Sequence, residues 1–281
     1  MTPSRSQEPG LFAITHTPSQ RKVREHGIIC NMENLDEKIN KKNRDVLIII
    51  PAYNEQETIV EVAQSVSRAS YDYVIVNDGS TDATLSLCEK RGLNVVTLPQ
   101  NLGIGGGVQT GHKYALERGY AIDVQFDGDG QHDVACIEDL INAIDRGADL
   151  AIGSRFLTDD ENFRSTRLRR VGILWLSTWI RLFTGRAVSD PTSGFRACSR
   201  SAIELFCKSY PIDYPEPESI VYALRSGLSV EDVSVTMHAR QGGTSSIGGL
   251  SSLYYMIKVT LAISIARFSK PKHHERDEDT C

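Results

Sequence analysis

The chain has no pair of cysteines at metal-binding or redox spacing. Its six, Cys30, Cys88, Cys136, Cys198, Cys207 and Cys281, are scattered through 281 residues with no C-x-x-C. That argues against a zinc site and a disulfide framework, and fits reduced thiols in a cytoplasmic setting. An excess of cations is also lacking. The net charge of -5 excludes a general nucleic-acid-binding role. No long apolar h-region opens the chain: residues 1–44 are polar and rich in Ser, Pro, Lys and Arg, and read as a disordered extension. A clean membrane span is missing too. Residues 250–269 approach the roughly 20 apolar residues that a span needs. Lys258 sits near their middle, and a central lysine costs roughly 3 kcal/mol on insertion. The segment therefore reads as an amphipathic helix, partly buried or lying on a membrane surface with its tyrosines at headgroup level. That would place the protein peripherally at the inner face of a membrane. Residues 270–281 form a charged tail.

From residue 45 onward, apolar strand-like runs alternate with helical patterns. The runs 46–50, 73–76, 94–98, 121–126 and 150–153 read as strands. Residues 58–69, 81–91, 107–119 and 134–146 carry helical spacing. Such alternation predicts an α/β domain over 45–249, with a mostly parallel sheet flanked by helices. The second half reads as a helix over 169–183, a loop over 190–196, helices over 199–207 and 218–226, and a strand over 230–237. Trp175 and Trp179, one turn apart in the first of these helices, read as packing.

Ligands of a parallel sheet bind beyond the carboxyl ends of its strands. Three predicted strands end in polar clusters: Pro51-Ala52-Tyr53-Asn54-Glu55, Asn77-Asp78-Gly79-Ser80 and Asp127-Gly128-Asp129. On an extended segment, residues two apart point the same way. Asp127 and Asp129 would then reach one hard cation, magnesium or manganese, with Gln131 adding a third oxygen directly or through water. An acidic turn is the plainer alternative. Tyr53 can stack on a base, Glu55 can accept from ribose hydroxyls or cap the next helix, and Asp78 can accept from a base N–H or form a turn. The glycines of Asn101-Leu102-Gly103-Ile104-Gly105-Gly106-Gly107 either cradle a phosphate before a helix or permit close packing; they fit neither the dinucleotide nor the P-loop pattern. Arginines such as Arg155, Arg164, Arg167, Arg169, Arg170, Arg196 and Arg240 offer forked donors for a diphosphate. Glu216 and Glu218 open a helix, where the dipole alone favours them; either can also serve as a general base.

Taken in order, IPAYNE, VIVNDGSTD, NLGIGGG, FDGDGQH, GSR, SDPTSGFR and RQGGTSS resemble the family 2 inverting glycosyltransferases of GT-A fold. The branch they resemble is that of dolichol-phosphate mannose synthase and the polyprenyl-phosphate glycosyltransferases. The resemblance covers 45 to about 250. It implies a nucleotide pocket from Pro51, Ala52, Tyr53, Glu55, Asp78, Gly105, Asp127 and Gly128. It implies a metal site at Asp127, Asp129 and Gln131, for Mg2+ or Mn2+. Arg155, Arg196, Arg240, Gly243, Ser245 and Ser246 would face the diphosphate, the last four in a closing loop. That loop ends Thr244-Ser245-Ser246 where many relatives place Ser-Lys. Glu218, Glu216 and Asp129 are the implied catalytic acids. The implied partners are a UDP- or GDP-linked sugar donor, a lipid-phosphate or glycan acceptor, a membrane surface and a second copy of the chain. A nucleotidyltransferase on a related sheet would want a basic glycine-rich first loop, which is absent; a binder without activity would have no need of the acidic pair.

Overall fold

The computed structural model describes residues 45–157, 167–238, 258–261 and 264. Its frame is β1 (Val46–Ala52), a strand with every residue buried. An unbroken apolar run of this kind needs cover on both faces of a sheet, and β1 has it. Ile48 and Ile50 pack on one side with α1 (Ile59–Arg68) and α4 (Ile137–Asp145). Leu47 and Ile49 pack on the other with α3 (Gly103–Arg118), α6 (Arg200–Lys208) and α7 (Pro215–Arg225). In α1 the buried residues are Ile59, Val62, Ala63 and Val66, the spacing of one helical face.

The remaining strands are β2 (Asp72–Asn77), β3 (Val95–Thr97), β4 (Ile122–Gln125), β5 (Leu150–Ser154), β6 (Arg196–Ser199) and β7 (Val230–Ser234). Helices α2 (Thr84–Lys90) and α5 (Arg167–Thr184) complete the set used below. The sheet order is β3-β2-β1-β4-β6-β5-β7. Within it β6 alone runs antiparallel, to β4 and to β5. The parallel pairs β1–β2, β1–β4 and β2–β3 run four strands in one direction. This is the GT-A-like α/β architecture expected of the sequence.

Two expectations change. The predicted loop 190–196 runs into β6, a strand too short and too polar for periodicity to show. The glycine cluster is no loop: α3 begins at Gly103, so Gly105 and Gly106 are helical. Gly105 is small because α3 presses on the chain before α7; a Cβ there would come within 2.3 Å of the Pro211 carbonyl. That packing by itself requires glycine at this position. As expected, Trp175 and Trp179 pack on one another, their rings stacked with centroids 5.5 Å apart, although Trp175 is 52% exposed. Among the described residues, no helix is long and apolar enough to cross a membrane.

Candidate active site

The first, second and fourth strands deliver their polar ends to one edge of the sheet, and hydrogen bonds tie those ends together. Asn54, in left-handed backbone at φ 57°, is the main fastener. Its N–H donates to Ser80 Oγ at 3.0 Å, and its Oδ1 accepts from the Thr81 N–H at 2.8 Å. Gln56 Oε1 accepts from the Ala83 N–H, and the Glu55 N–H donates to Thr84 Oγ1. On the other flank, Thr58 Oγ1 donates to the Gly128 carbonyl at 2.6 Å. Pro51 and Ala52 are buried beneath this rim, and Tyr53 stands 46% exposed above it. Asp78 is buried. Its Oδ1 accepts from the Leu102 N–H at 2.7 Å, at the start of α3, where a carboxylate is favoured by the helix dipole.

The acidic loop departs from the extended geometry that the sequence suggested. Strand β4 stops at Gln125, and Asp127 to Gly130 form a turn. Asp127 keeps its side chain about a third exposed. Its Oδ2 lies 3.0 Å from His132 Nε2, and its Oδ1 accepts from Gln125 Nε2 at 3.2 Å. Burial alone would raise its pKa. The His132 ring, the Gln125 amide and the charge of Arg196 outweigh that and hold the carboxyl below the usual range. Asp129 is largely buried, its Oδ1 accepting from the Gln131 N–H at 3.0 Å. Gly194 closes the floor: a Cβ there would lie 2.9 Å from Asp127 Oδ2. The donor set is oxygen-only, as magnesium and manganese prefer. An ionised, partly open Asp127 in a cradle that a methyl group would fill fits a hard cation.

The two glutamates at the start of α7 separate. Glu216 feels Asp127 and Arg196: burial raises its pKa, Arg196 opposes the rise, and Asp127 adds to it. Glu218 is pushed up to about 7, by burial first and then by the neighbouring Asp213. Glu216 therefore shares the electrostatic environment of the acidic loop, and Glu218 faces the loop before α7.

Two predicted diphosphate ligands are committed inside the protein. Arg155 makes a forked pair with Asp190 at 2.6 and 2.8 Å and also reaches Thr192. Arg196 is buried; it donates to the Ser193 carbonyl and to Ser219 Oγ, each at 2.7 Å. Ser219 Oγ in turn donates to the Glu216 carbonyl. Arg196 thus braces α7 against β6 while its charge acts on Asp127 and Glu216. Arg240, Gly243, Ser245 and Ser246 lie outside the described residues, as do Arg164 and the side chains of Arg167 and Arg169. The backbone is described as far as His238: His132 and Met237 form an antiparallel bridge, and the His238 N–H donates to the Gln131 carbonyl at 2.8 Å.

Two features needed the structure. One is the set of ring contacts made by His132, which show only in three dimensions. The other is the outer stripe of α5, where Val171, Leu174, Trp175 and Leu182 are 52 to 66% exposed. Trp175 Nε1 and Trp179 Nε1 donate to Thr260 Oγ1 and Ser264 Oγ, each at 3.1 Å. The spacing of the stripe was visible, but nothing in it told core from surface.

A mostly parallel sheet with a strapped acidic turn at its carboxyl edge defines a nucleotide-handling α/β enzyme. Residues 47–206 match the model of the glycosyl transferase family 2, and the chain belongs to that family; it is a glycosyltransferase. It is 32% identical over 231 residues to the polyprenol monophosphomannose synthase of Mycolicibacterium smegmatis, covering 76% of this chain and 84% of that one. It is 30% identical over 244 residues to the UDP-N-acetylglucosamine–dolichyl-phosphate N-acetylglucosaminyltransferase of Methanococcus voltae, covering 77% and 96%. In fold it is similar to the UDP complex of glucosyl-3-phosphoglycerate synthase from Mycobacterium tuberculosis, with a TM-score of 0.62, 22% identity and coverage of 89% and 88%. That synthase has also been solved with Mn2+ or Mg2+ beside UDP.

Proposed function

We propose that this enzyme moves a sugar from a nucleoside-diphosphate donor to a polyprenyl or dolichyl phosphate, with a divalent cation and with inversion at the anomeric carbon. The observation that carries the reading is the acidic turn Asp127-Gly128-Asp129, strapped by Thr58 to the loop that bears Tyr53 and Glu55. Names of the relatives point the same way, because both described above act on lipid phosphates.

In this reading Tyr53 stacks on the base, Glu55 accepts from the ribose, and Asp78 offers its second oxygen to a base N–H. Asp127 and Asp129, with Gln131, hold Mg2+ or Mn2+, which stabilises the charge that builds on the departing diphosphate. Arg240, with Gly243, Ser245 and Ser246, completes the diphosphate site from the sequence beyond His238. A phosphate acceptor is ionised already and needs no general base. Glu216 then orients the sugar beside Asp127, and Glu218 lines the acceptor side.

The lipid acceptor requires a surface. The outer stripe of α5, Val171, Leu174, Trp175 and Leu182, is joined by Leu261, itself 58% exposed. Arg170 and Arg181 are exposed on the same helix. Apolar side chains flanked by arginines on one helix suit an interfacial helix lying on anionic lipid. This moves the expected membrane contact from 250–269 alone to a surface shared with α5.

The test is a donor panel, UDP- and GDP-linked sugars with polyprenyl phosphate, with and without Mn2+. Expected are a lipid-linked sugar of inverted configuration and nucleoside diphosphate release that needs the metal. Transfer undiminished by chelator would end the metal assignment. Leu174→Asp should weaken binding to anionic vesicles while leaving turnover of a water-soluble short-chain acceptor intact.

A further inference from the structure

Resting on the metal-dependent reading above, we infer that His132 is a positioning residue that sets the carboxylate of Asp127 in its cation-binding orientation. The ring is wedged between two phenylalanines, with centroids 5.4 Å from Phe126 and 4.7 Å from Phe195. Its backbone is held by the bridge to Met237. Only 6% of the residue is exposed. The imidazole has no room to turn, and its Nε2 lies 3.0 Å from Asp127 Oδ2. A carboxylate only accepts here, so Nε2 carries the proton. Gln125 Nε2 approaches the other oxygen, and Gly194 bounds the floor. Each carboxylate oxygen is held by a side chain before any ion arrives.

The other ring nitrogen shows what the histidine is for. Nδ1 is buried and, among the described residues, has no hydrogen-bond partner. An unpartnered buried nitrogen destabilises the fold. In an aromatic wedge of this kind, phenylalanine would satisfy packing without that cost. A histidine that is poor for folding and aimed at one carboxylate oxygen is explained by the carboxylate. Groups that orient metal ligands in this way typically contribute 10- to 100-fold to metal affinity.

The test measures Mn2+ binding in the presence of UDP or GDP, by the electron-spin signal of free Mn2+, alongside thermal unfolding. His132→Phe keeps the wedge and removes Nε2. It should melt at or above the wild-type temperature and bind Mn2+ about 10- to 100-fold more weakly, with kcat at saturating Mn2+ far less changed. His132→Gln can reach Asp127 and should recover most of the affinity; His132→Asn is too short and should not. Equal Mn2+ affinity in wild type and His132→Phe overturns the inference, as does equal affinity in the Gln and Asn variants, which decide the matter should His132→Phe fail to fold. A wild-type protein that binds no Mn2+ with either nucleotide sinks the parent reading, and the inference with it.

Discussion

Two aspartates four residues apart, Asp123 within β4 and Asp127 just past its end, each take a histidine, and their settings are opposite. Asp123 pairs with His112 Nδ1 at 2.7 Å, and the two side chains are 0% and 3% exposed. Phe206 and Tyr210 pack on the His112 ring, and Cys198 faces Asp123 across the β4–β6 register. Asp127 pairs with His132 at 3.0 Å but keeps a third of its side chain open. The same two residue types make a sealed internal pair in one place and a supported, accessible carboxylate in the other. What differs is the position along one strand: mid-sheet, an acid must be neutralised by the protein itself, while beyond the carboxyl edge it can be neutralised by a ligand. A buried pair is weak evidence of stabilisation, but removing one partner strands the other in a low-dielectric interior.

The comparison breaks most sharply at the outer pair. Asp127→Asn should cut transfer by about 10³-fold or more, since metal stabilisation of a leaving group supplies several kcal/mol. Thermal unfolding should change little; retained turnover would remove Asp127 from the chemistry. At the inner pair the pattern should invert. His112→Ala should destabilise by about 3–5 kcal/mol, read by urea unfolding, with kcat of the folded fraction unchanged. The double replacement His112→Leu with Asp123→Val should recover most of that loss. If the single and double variants are equally unstable, the pair is not what the site requires.

A smaller effect separates the two by ligand. Mn2+ with nucleotide at 100 times Kd should stabilise the wild type by about 2.7 kcal/mol. Asp127→Asn should abolish that shift, and the inner double variant should retain it. Glu218 supplies an intermediate case, a half-buried acid beside another acid. Its pKa is raised from an ordinary 4.5 to about 7. A raised value means that the folded state holds the proton more tightly. The contribution to stability is full below pH 4.5 and is lost as pH climbs through 7. Glu218→Gln, uncharged throughout, should therefore gain on the wild type in melting temperature between pH 5 and pH 8. A constant difference across that range would remove the titration from this site.

Much of this was legible before any coordinates. The run Val46–Ala52 needed cover on both faces, and the spacing of Ile59, Val62, Ala63 and Val66 gave a helix. Strand ends rich in Asn, Asp and Gly marked the functional edge. The misses have physical causes. Gly103 to Gly107 look like a loop because glycine is a poor helix former, yet at Gly105 close packing of α3 on Pro211 demands it. Arg155 and Arg196 look like diphosphate ligands because arginine is usually solvated, and their buried partners Asp190 and Ser219 lie 35 and 23 residues away. Strand β6 hides in a polar loop because its neighbours, rather than its own periodicity, make it a strand.

The order of elements, the buried strands and the residues gathered at the sheet edge follow from local chemistry, written along the chain in periods of two and 3.6 residues. Which aspartate is sealed and which is open, which glutamate feels the acidic turn, and which arginines brace the fold were settled only when distant segments met. Electrostatic roles depend on what surrounds a charge within a few ångströms, and in a crossed-over sheet those surroundings come from residues tens of positions away.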